Sequence, residues 1–486
     1  MKEIPKEIKE AIEKLQKEGW EAYIVGGCVR DLLLKRKPSD WDIATNANPK
    51  EIENLFPRSF LDNRFGTVTV VTKSKEPSLE KIEITPYRIE GEYKDKRRPE
   101  EVSWTESIKE DLKRRDFTIN ALALSIKDGK KEVLDLHKGR EDLKKKIIRA
   151  VGDPKERIGE DALRMMRAVR LSVVLGFKIE EATLEAIKEN SKGIESISKE
   201  RIRDELIKII MSKRAVKGIE LLRETGLLKR IIPELLEGFK VSQNKHHIYD
   251  CYEHSLNSLE YAIKEGYDLP VRLAALFHDI GKPRVKEGKG EEATFYNHEV
   301  VGAEMTKKIM ERLKFPKKEV KKVTTLVRYH LFYYNVGEVS ESSVRRLLRK
   351  VGKENIDDLI KVRKADRIGS GVPKAEPYRL RHLQYLLEKV SRDPISTGML
   401  KIDGRDIMKE LNISPGRKIG MILNILLREV IKDPEKNERE KLIKEVKRLG
   451  EISEEDLEKL YNEAREEIEK IETKRDEMTK KKYWVT

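Results

Sequence analysis

The stretch 23–45, YIVGGCVRDLLLKRKPSDWDIAT, decides the reading of the fold. A β-rich run leads into two consecutive glycines, Gly26 and Gly27, then into a short VRDLLL helix, then into a second β-rich run headed by two aspartates one residue apart. Glycines let backbone amides approach a ligand closely, and a helix N-terminus placed directly after them suits an anion. Side chains at i and i+2 of a strand point the same way, so SDWDIAT as a strand predicts Asp40 and Asp42 on one face. Two like charges that close repel unless a divalent cation neutralises them, and hard oxygen ligands suit Mg²⁺. In KIEITPYR, Glu83 sits mid-strand between apolar neighbours, either as a solvated residue or as a third carboxylate from an adjacent strand. Three such carboxylates suffice for two ions in phosphoryl chemistry.

The rest of the chain sets this run in context. With 486 residues, more than one core is expected. Charged residues make up 39% and aromatics 6%, a composition that suits elongated helical bodies better than one large globule. The formal net charge of +15 fits either a polyanionic partner or a basic solvated surface. Two cysteines in unrelated contexts, Cys28 and Cys251, indicate neither a disulfide framework nor a thiolate cluster. No apolar stretch approaches the length of a membrane span and the first residues lack a signal-peptide core, so a cytoplasmic protein without a membrane partner is expected. Strand signals are confined to about the first 150 residues; Leu, Ile, Lys and Glu at helical spacing dominate the remainder.

Two further blocks carry chemistry. In LKRRDFTINALAL, an arginine fork at Arg115 suits phosphate oxygens, and Asp116 and Asn120 suit ribose hydroxyls, whereas Lys113 and Arg114 read as an exposed helix face. GEDALRMMRAVR reads as one helix with Asp161 and Arg164 adjacent at i and i+3. Arg167 and Arg170 continue that row, which drifts by about 60° per step and turns Arg170 away from Asp161. Cytosine and adenine each present an amino donor beside a ring-nitrogen acceptor; uracil and guanine present a carbonyl beside an N–H. An aspartate acceptor next to an arginine donor matches the first pair and leaves unpaired groups against the second. The same spacing also arises in ordinary surface ion pairs.

In order and spacing, VGGCVRDLLL…SDWDIAT, LKRRDFTINALAL and DPKERIGEDALRMMRAVRLSVVLGF resemble the head and neck of the class II tRNA nucleotidyltransferase and bacterial poly(A) polymerase family. DGRDIMKELNISPGRKIGMILNILLREVIKDPEKNERE resembles the tRNA-binding body of bacterial CCA-adding enzymes. The resemblance implies that Asp40 and Asp42 ligate Mg²⁺, with Glu83 as the third acidic residue, and that Gly27 and Arg30 contact the triphosphate. It further implies that Arg115, Asp116 and Asn120 bind the nucleotide and that the EDxxR pattern, Glu160, Asp161 and Arg164, reads the base, with Arg167 and Arg170 on the same helix. The implied reaction is addition of CCA to tRNA 3′ ends from CTP and ATP by two-metal transfer with release of pyrophosphate. The segment EGEYKDKRRPEEVSWTESIKEDL reads as a complete loop, as full CCA addition requires; A-adding or poly(A) polymerase activity is the alternative.

Six of the eight histidines fall between positions 246 and 330. The order H…HD…D, from His254, His278, Asp279 and Asp366, resembles the HD phosphohydrolase superfamily and implies a site for a divalent metal. His298 and His330 stand where some members ligate a second ion, and Lys282 reads as a phosphate contact. A phosphohydrolase and a vestigial or purely metal-binding domain both fit, as does an HD nucleotide phosphohydrolase with an inactive head. The expected architecture is multidomain α+β: an α/β nucleotidyltransferase head with a small mixed sheet over 1–150, a helical neck over 151–232, an HD domain over 233–375, and a helical body and tail over 376–486. Residues 401–440 are the expected tRNA contact, reaching beyond the acceptor end toward the elbow, and the final KYWVT is expected to fray.

Overall fold

The computed structural model describes residues 3–62, 66–90, 102–127, 129–243, 248–332, 334–391 and 396–486. Positions 91–101 of the loop and the histidines at 246 and 247 lie outside the described residues. The chain divides into two compact units, one comprising residues 1–331 and 357–373, the other 332–356 and 374–486.

The first unit opens with the helix Lys6–Lys17, whose Ile8, Ala11, Ile12 and Leu15 recur at helical spacing and are buried. A mixed sheet follows, with strands in the spatial order Ser59–Asp62, Thr67–Val71, Lys81–Pro86, Asp42–Thr45, Ala22–Val25, Leu122–Lys127 and Lys130–Asp135. Every neighbouring pair is antiparallel except Asp42–Thr45 with Lys81–Pro86, which run parallel with Asp42 opposite Glu83. A parallel pair needs a crossover, and the helix Pro49–Leu55 with the next two strands supplies it. That crossover carries Glu83 back beside Asp42 from 41 positions further along the chain.

The strand signal fades after the head, as expected. Beyond it, among the described residues, only Lys178–Ile179 pairs as a strand, parallel to Ile147–Ile148. Helices Pro154–Glu160, Leu163–Leu175, Glu181–Asn190, Lys199–Ile210 and Ala215–Glu224 follow, then Cys251–Lys264, Leu269–Phe277, His298–Arg312, Lys317–Tyr329 and Ile356–Gly369. GEDALRMMRAVR is not one helix: one segment stops at Glu160, Asp161 is extended at φ −130°, and the next begins at Leu163. The Asp161 side chain accepts from the backbone N–H of Leu163 at 3.0 Å, so the aspartate starts a helix instead of riding on one.

The second unit is helical, with Arg417–Lys432 packed between Gly404–Leu411, Arg439–Glu451 and Glu454–Tyr483 around Ile407, Ile422, Ile425, Val446 and Leu457. Its end does not fray. Val485 is buried, its N–H donates to the Lys480 carbonyl at 3.0 Å, and the Thr486 and Tyr378 hydroxyls lie 3.2 Å apart. Trp484, at φ +53° and 80% exposed, closes the last helix. Among the described residues no helix is long and apolar enough to cross a membrane.

Candidate functional site

Asp42 begins its strand, and Asp40 falls in a bend two residues earlier, exposed. The ladder takes hold at Trp41, whose carbonyl accepts from the N–H of Glu83 at 3.1 Å, so Asp40 is not a strand residue and does not owe its position to the pleat. The three acids nonetheless share one field. Burial pushes the Asp42 carboxyl up to about 7, with Asp40 and then Glu83 adding to the rise against the pull of Arg115 and Arg167. A half-buried carboxyl flanked by two others is costly as an anion. The three acids do not bring their oxygens within 4.8 Å of one another, so here they share a field without forming a closed ligand set.

Of the two glycines, the one the backbone needs is Gly26. Its φ of +77° with ψ of −135° is a conformation that only glycine adopts readily. A Cβ there would lie 2.9 Å from Arg115 Nη1 and 3.7 Å from Asp42 Oδ2, whereas one on Gly27 meets nothing nearer than 3.5 Å. The resemblance singled out Gly27, but it is Gly26 whose missing side chain leaves room between Asp42 and Arg115.

A chain of charge-assisted bonds runs from this turn into the neck. Arg30 donates through Nε and Nη2 to Asp31, at 2.9 and 3.0 Å, and through Nη1 to Asn120 Oδ1 at 2.9 Å. Asn120 donates to Asp116 Oδ1 at 3.2 Å, and Arg167 Nε to Asp116 Oδ2 at 2.8 Å. Burial alone would raise the Asp116 carboxyl; the Arg167 guanidinium overrides it and holds the group well below the ordinary carboxylate range. Arg167, from the neck, thus ties itself to the residue expected to face the ribose, and its charge also reaches Asp42.

Asp161 and Arg164 do not pair with each other. Asp161 Oδ2 takes Arg201 Nη2 at 3.1 Å, and Arg164, buried, donates to Glu160, to the Arg157 carbonyl at 2.7 Å and to the Arg114 carbonyl at 3.2 Å. The helix break accounts for this: the Arg164 N–H still reaches the Asp161 carbonyl at 2.9 Å, but the extended backbone of Asp161 sends its side chain to a different partner. Arg170 pairs instead with Glu205 at 2.7 Å, one helical turn beyond Arg201 on Lys199–Ile210. The expectation for Arg114 also fails: Lys113 is an exposed partner of Glu110, but Arg114 and Arg115 both fold onto Asp111, which is 1% exposed. Asp111 was hidden in a charged run that reads as solvated; its i+3 and i+4 spacing to two arginines was the available signal.

A second cluster lies among the helices after residue 250. His254, His278, Asp279 and Asp366 each bring one ligand atom within 4.8 Å of the others, and Asp279, His298 and His330 do the same. Asp279 belongs to both sets. Its Oδ2 lies 3.1 Å from His254 Nε2 and 3.3 Å from His278 Nε2, and its Oδ1 lies 3.3 Å from His298 Nε2 and 3.5 Å from His330 Nε2. The Nδ1 atoms of His278, His298 and His330 each face a backbone carbonyl at 2.7–2.8 Å. A carbonyl only accepts, so Nδ1 carries a proton and Nε2 points inward; a cation that displaced any proton on Nε2 would find the tautomer it requires. The Nε2 atoms of His254 and His278 are 2.9 Å apart, a hydrogen-bonded pair whose shared proton a cation would replace. Burial alone would drive His278 down, but the Asp279 carboxylate dominates and pushes it up to about 10. Lys282 Nζ forms an ion pair with Asp279 Oδ2 and donates to Gln243 Oε1, both at 2.6 Å, so this lysine, expected to bind phosphate, is engaged with the acid. A cleft of about 470 Å³ opens from these ligands past Phe295, Tyr296, Arg363 and Arg367.

Comparison with known proteins agrees with this layout. Residues 22–149 match the model of the poly A polymerase head domain, 176–238 that of the probable RNA and SrmB-binding site of polymerase A, and 251–370 the HD domain. The CCA-adding enzyme of Enterococcus faecalis is 33% identical over 456 residues, 90% of this chain and 96% of that protein. That of Lactobacillus helveticus is 48% identical over 217 residues, a match covering 44% of this chain and 52% of the relative. The crystal structure of the Bacillus stearothermophilus CCA-adding enzyme in complex with CTP superposes with a TM-score of 0.57 at 27% identity, over 92% of this chain and 98% of that one. With a relative of that identity aligned over nearly the full length of both proteins, the chain belongs to the family of CCA-adding enzymes, nucleotidyltransferases that act on tRNA.

Proposed function

We propose that the chain adds C, C and A to tRNA 3′ ends from CTP and ATP, using the head carboxylates and the neck arginines as one site. The observation that carries this reading is the Arg167–Asp116–Asn120–Arg30 network, which links a neck helix to the glycine turn beside Asp42. Asp40, Asp42 and Glu83 would hold Mg²⁺, which when bound lowers the pKa of the attacking 3′-hydroxyl and neutralises charge on the triphosphate. Arg115 through Nη1, and Arg30 on release from Asp31 or Asn120, would meet the triphosphate at this turn. Asp116 is kept ionised as an acceptor for a ribose hydroxyl, and Asn120 stands beside it. Asp161 and Arg164, held here by Arg201 and by Glu160, would have to turn from those partners to present the acceptor and the donor that match cytosine and adenine; no nucleic-acid template is needed. The helical body around 401–440 would receive the rest of the tRNA.

The test is incubation of the purified chain with tRNA transcripts lacking the 3′ end, Mg²⁺ and labelled nucleotides. CTP alone should add two residues, ATP alone none, and both together the complete end. No incorporation under any condition overturns the reading, and extension by ATP alone on this substrate moves it to an A-adding or poly(A) activity.

A second activity is supported by one specific feature, the sharing of Asp279 between two inward-facing ligand sets. In this reading His254, His278, Asp279 and Asp366 hold one divalent ion, Asp279, His298 and His330 a second, and the cleft with Arg363 and Arg367 takes a phosphoester. Phosphate release that disappears in His278→Ala while nucleotide addition persists would establish that the two sites work separately.

A further inference from the structure

Asp111 lies on the short helix Ile108–Lys113 with its side chain 1% exposed. Its two oxygens are divided between two guanidinium groups. Oδ1 accepts Arg114 Nε at 3.0 Å and Nη2 at 2.6 Å; Oδ2 accepts Arg115 Nε at 3.3 Å and Nη2 at 3.0 Å. Burial on its own would raise this carboxyl, but Arg115 and Arg114 hold it below its ordinary value, so it is an anion there.

Each arginine leads to a different end of the nucleotide site. With Nε and Nη2 of Arg115 spent on Asp111, the remaining nitrogen, Nη1, is the atom that would meet a Cβ on Gly26 at 2.9 Å, and Gly26 is also the neighbour of Asp42 Oδ2. The carbonyl of Arg114 accepts from Arg164 Nη2 at 3.2 Å, across the junction between head and neck. One buried carboxylate therefore fixes the aim of the arginine on the triphosphate side and the peptide that receives the arginine on the base side.

We propose that Asp111 is a positioning residue that sets triphosphate binding and base selection together, acting through Arg115 and Arg114 without touching the nucleotide. The proposal rests on the nucleotide-addition reading above. A salt bridge that merely held the helix in place would affect stability alone. A shared anchor couples two kinetic quantities that ordinarily vary apart, because a slack Arg115 weakens both nucleotides equally while a displaced Arg164 weakens discrimination against UTP.

The experiment compares the full chain with Asp111→Asn, in which an amide nitrogen must face one guanidinium, and with Glu110→Gln, which alters the exposed Lys113 pair on the same helix. For Asp111→Asn, KM for both CTP and ATP should rise about tenfold, the scale of one lost charge-assisted hydrogen bond. Misincorporation of UTP relative to CTP should rise by a similar factor, and Glu110→Gln should change neither. In combination with Arg115→Gln, the KM effects should be less than multiplicative. Unchanged KM and UTP ratio, or a loss of rate that only tracks a lower folded fraction, overturns the proposal. Should Asp111→Asn not fold, Asp111→Glu, which keeps the charge but moves it by one methylene, must show the same paired change or the proposal fails. Absence of nucleotide addition by the unaltered chain removes the underlying reading and this role with it.

Discussion

Replacing Gly26 by alanine tests the geometry of the glycine turn at one atom. The backbone there has φ +77° and ψ −135°, a region sparsely open to residues with a Cβ, and holding one in it costs about 1–3 kcal/mol. The added carbon would also stand 2.9 Å from Arg115 Nη1, inside normal contact, and the arginine, held by Asp111 through its other nitrogens, is not free to swing clear. Displacement of a positioning group by about 1 Å costs on the order of 100-fold in rate. Gly26→Ala should therefore lower kcat/KM for CTP by about 10- to 100-fold and the melting temperature by a few degrees. Gly27→Ala, whose Cβ meets only the tip of Arg30 at 3.5 Å, should stay within about threefold of the unaltered chain. The assay is steady-state labelled CTP incorporation on a tRNA transcript, with thermal melts in parallel. Gly27→Ala more damaging than Gly26→Ala would refute the assignment of the close approach to Gly26.

Because the Asp42 carboxyl is raised to about 7 from an ordinary 3.8, the folded state binds more protons than the unfolded one between those values, and stability from this group falls as pH rises through that window. Melts in chelator should thus show a decline between about pH 4 and 7 that Asp42→Asn reduces and Mg²⁺ offsets above pH 7; identical slopes in the two proteins would count against it. For the HD cluster, elemental analysis after reconstitution with Mn²⁺ should find two ions bound there, one in His298→Ala and none in Asp279→Ala, since Asp279 alone belongs to both ligand sets. A full complement in Asp279→Ala would show that the ion is held elsewhere.

What the sequence disclosed depended on whether position along the chain implies position in space. The head strands were legible because alternation is local, and Glu83 could be named as a partner of Asp42 because both stood on strands. The HD ligands were legible because an uncommon residue type clustered in one stretch, with an adjacent His278–Asp279 pair inside it. Asp161 was misread because helical periodicity continues straight through GEDALRMMRAVR. Yet an Asp two residues before an apolar run is itself a helix-start signal, and that signal prevails once Arg201 arrives from a helix forty positions later. Arg114 was misread for a related reason. A run of six charged residues among eight looks solvated until the fold buries one of its acids beneath two of its arginines. The docked C-terminus depends on Tyr378, over a hundred residues away, and nothing near Trp484 announces it.

The two candidate metal sites are built on opposite principles, and the difference bears on how each would work. In the head, Asp40 and Glu83 are exposed and the Asp42 carboxyl is pushed up toward its neutral form, so the acids alone are a weak trap. Arg115 and Arg167 crowd the same space with positive charge. Such a site gains most when a triphosphate brings further oxygen ligands and leaves with pyrophosphate, which suits an ion exchanged at every turnover. In the HD cluster the ligands are buried, three histidines are held with Nε2 inward by backbone carbonyls, and Asp279 is anchored by Lys282. Nothing there waits for a substrate to complete the shell, so the ions would be resident. The orienting contacts of the head site, by contrast, lie in the arginines, and for that reason the carboxylate beneath them matters as much as those at the metal.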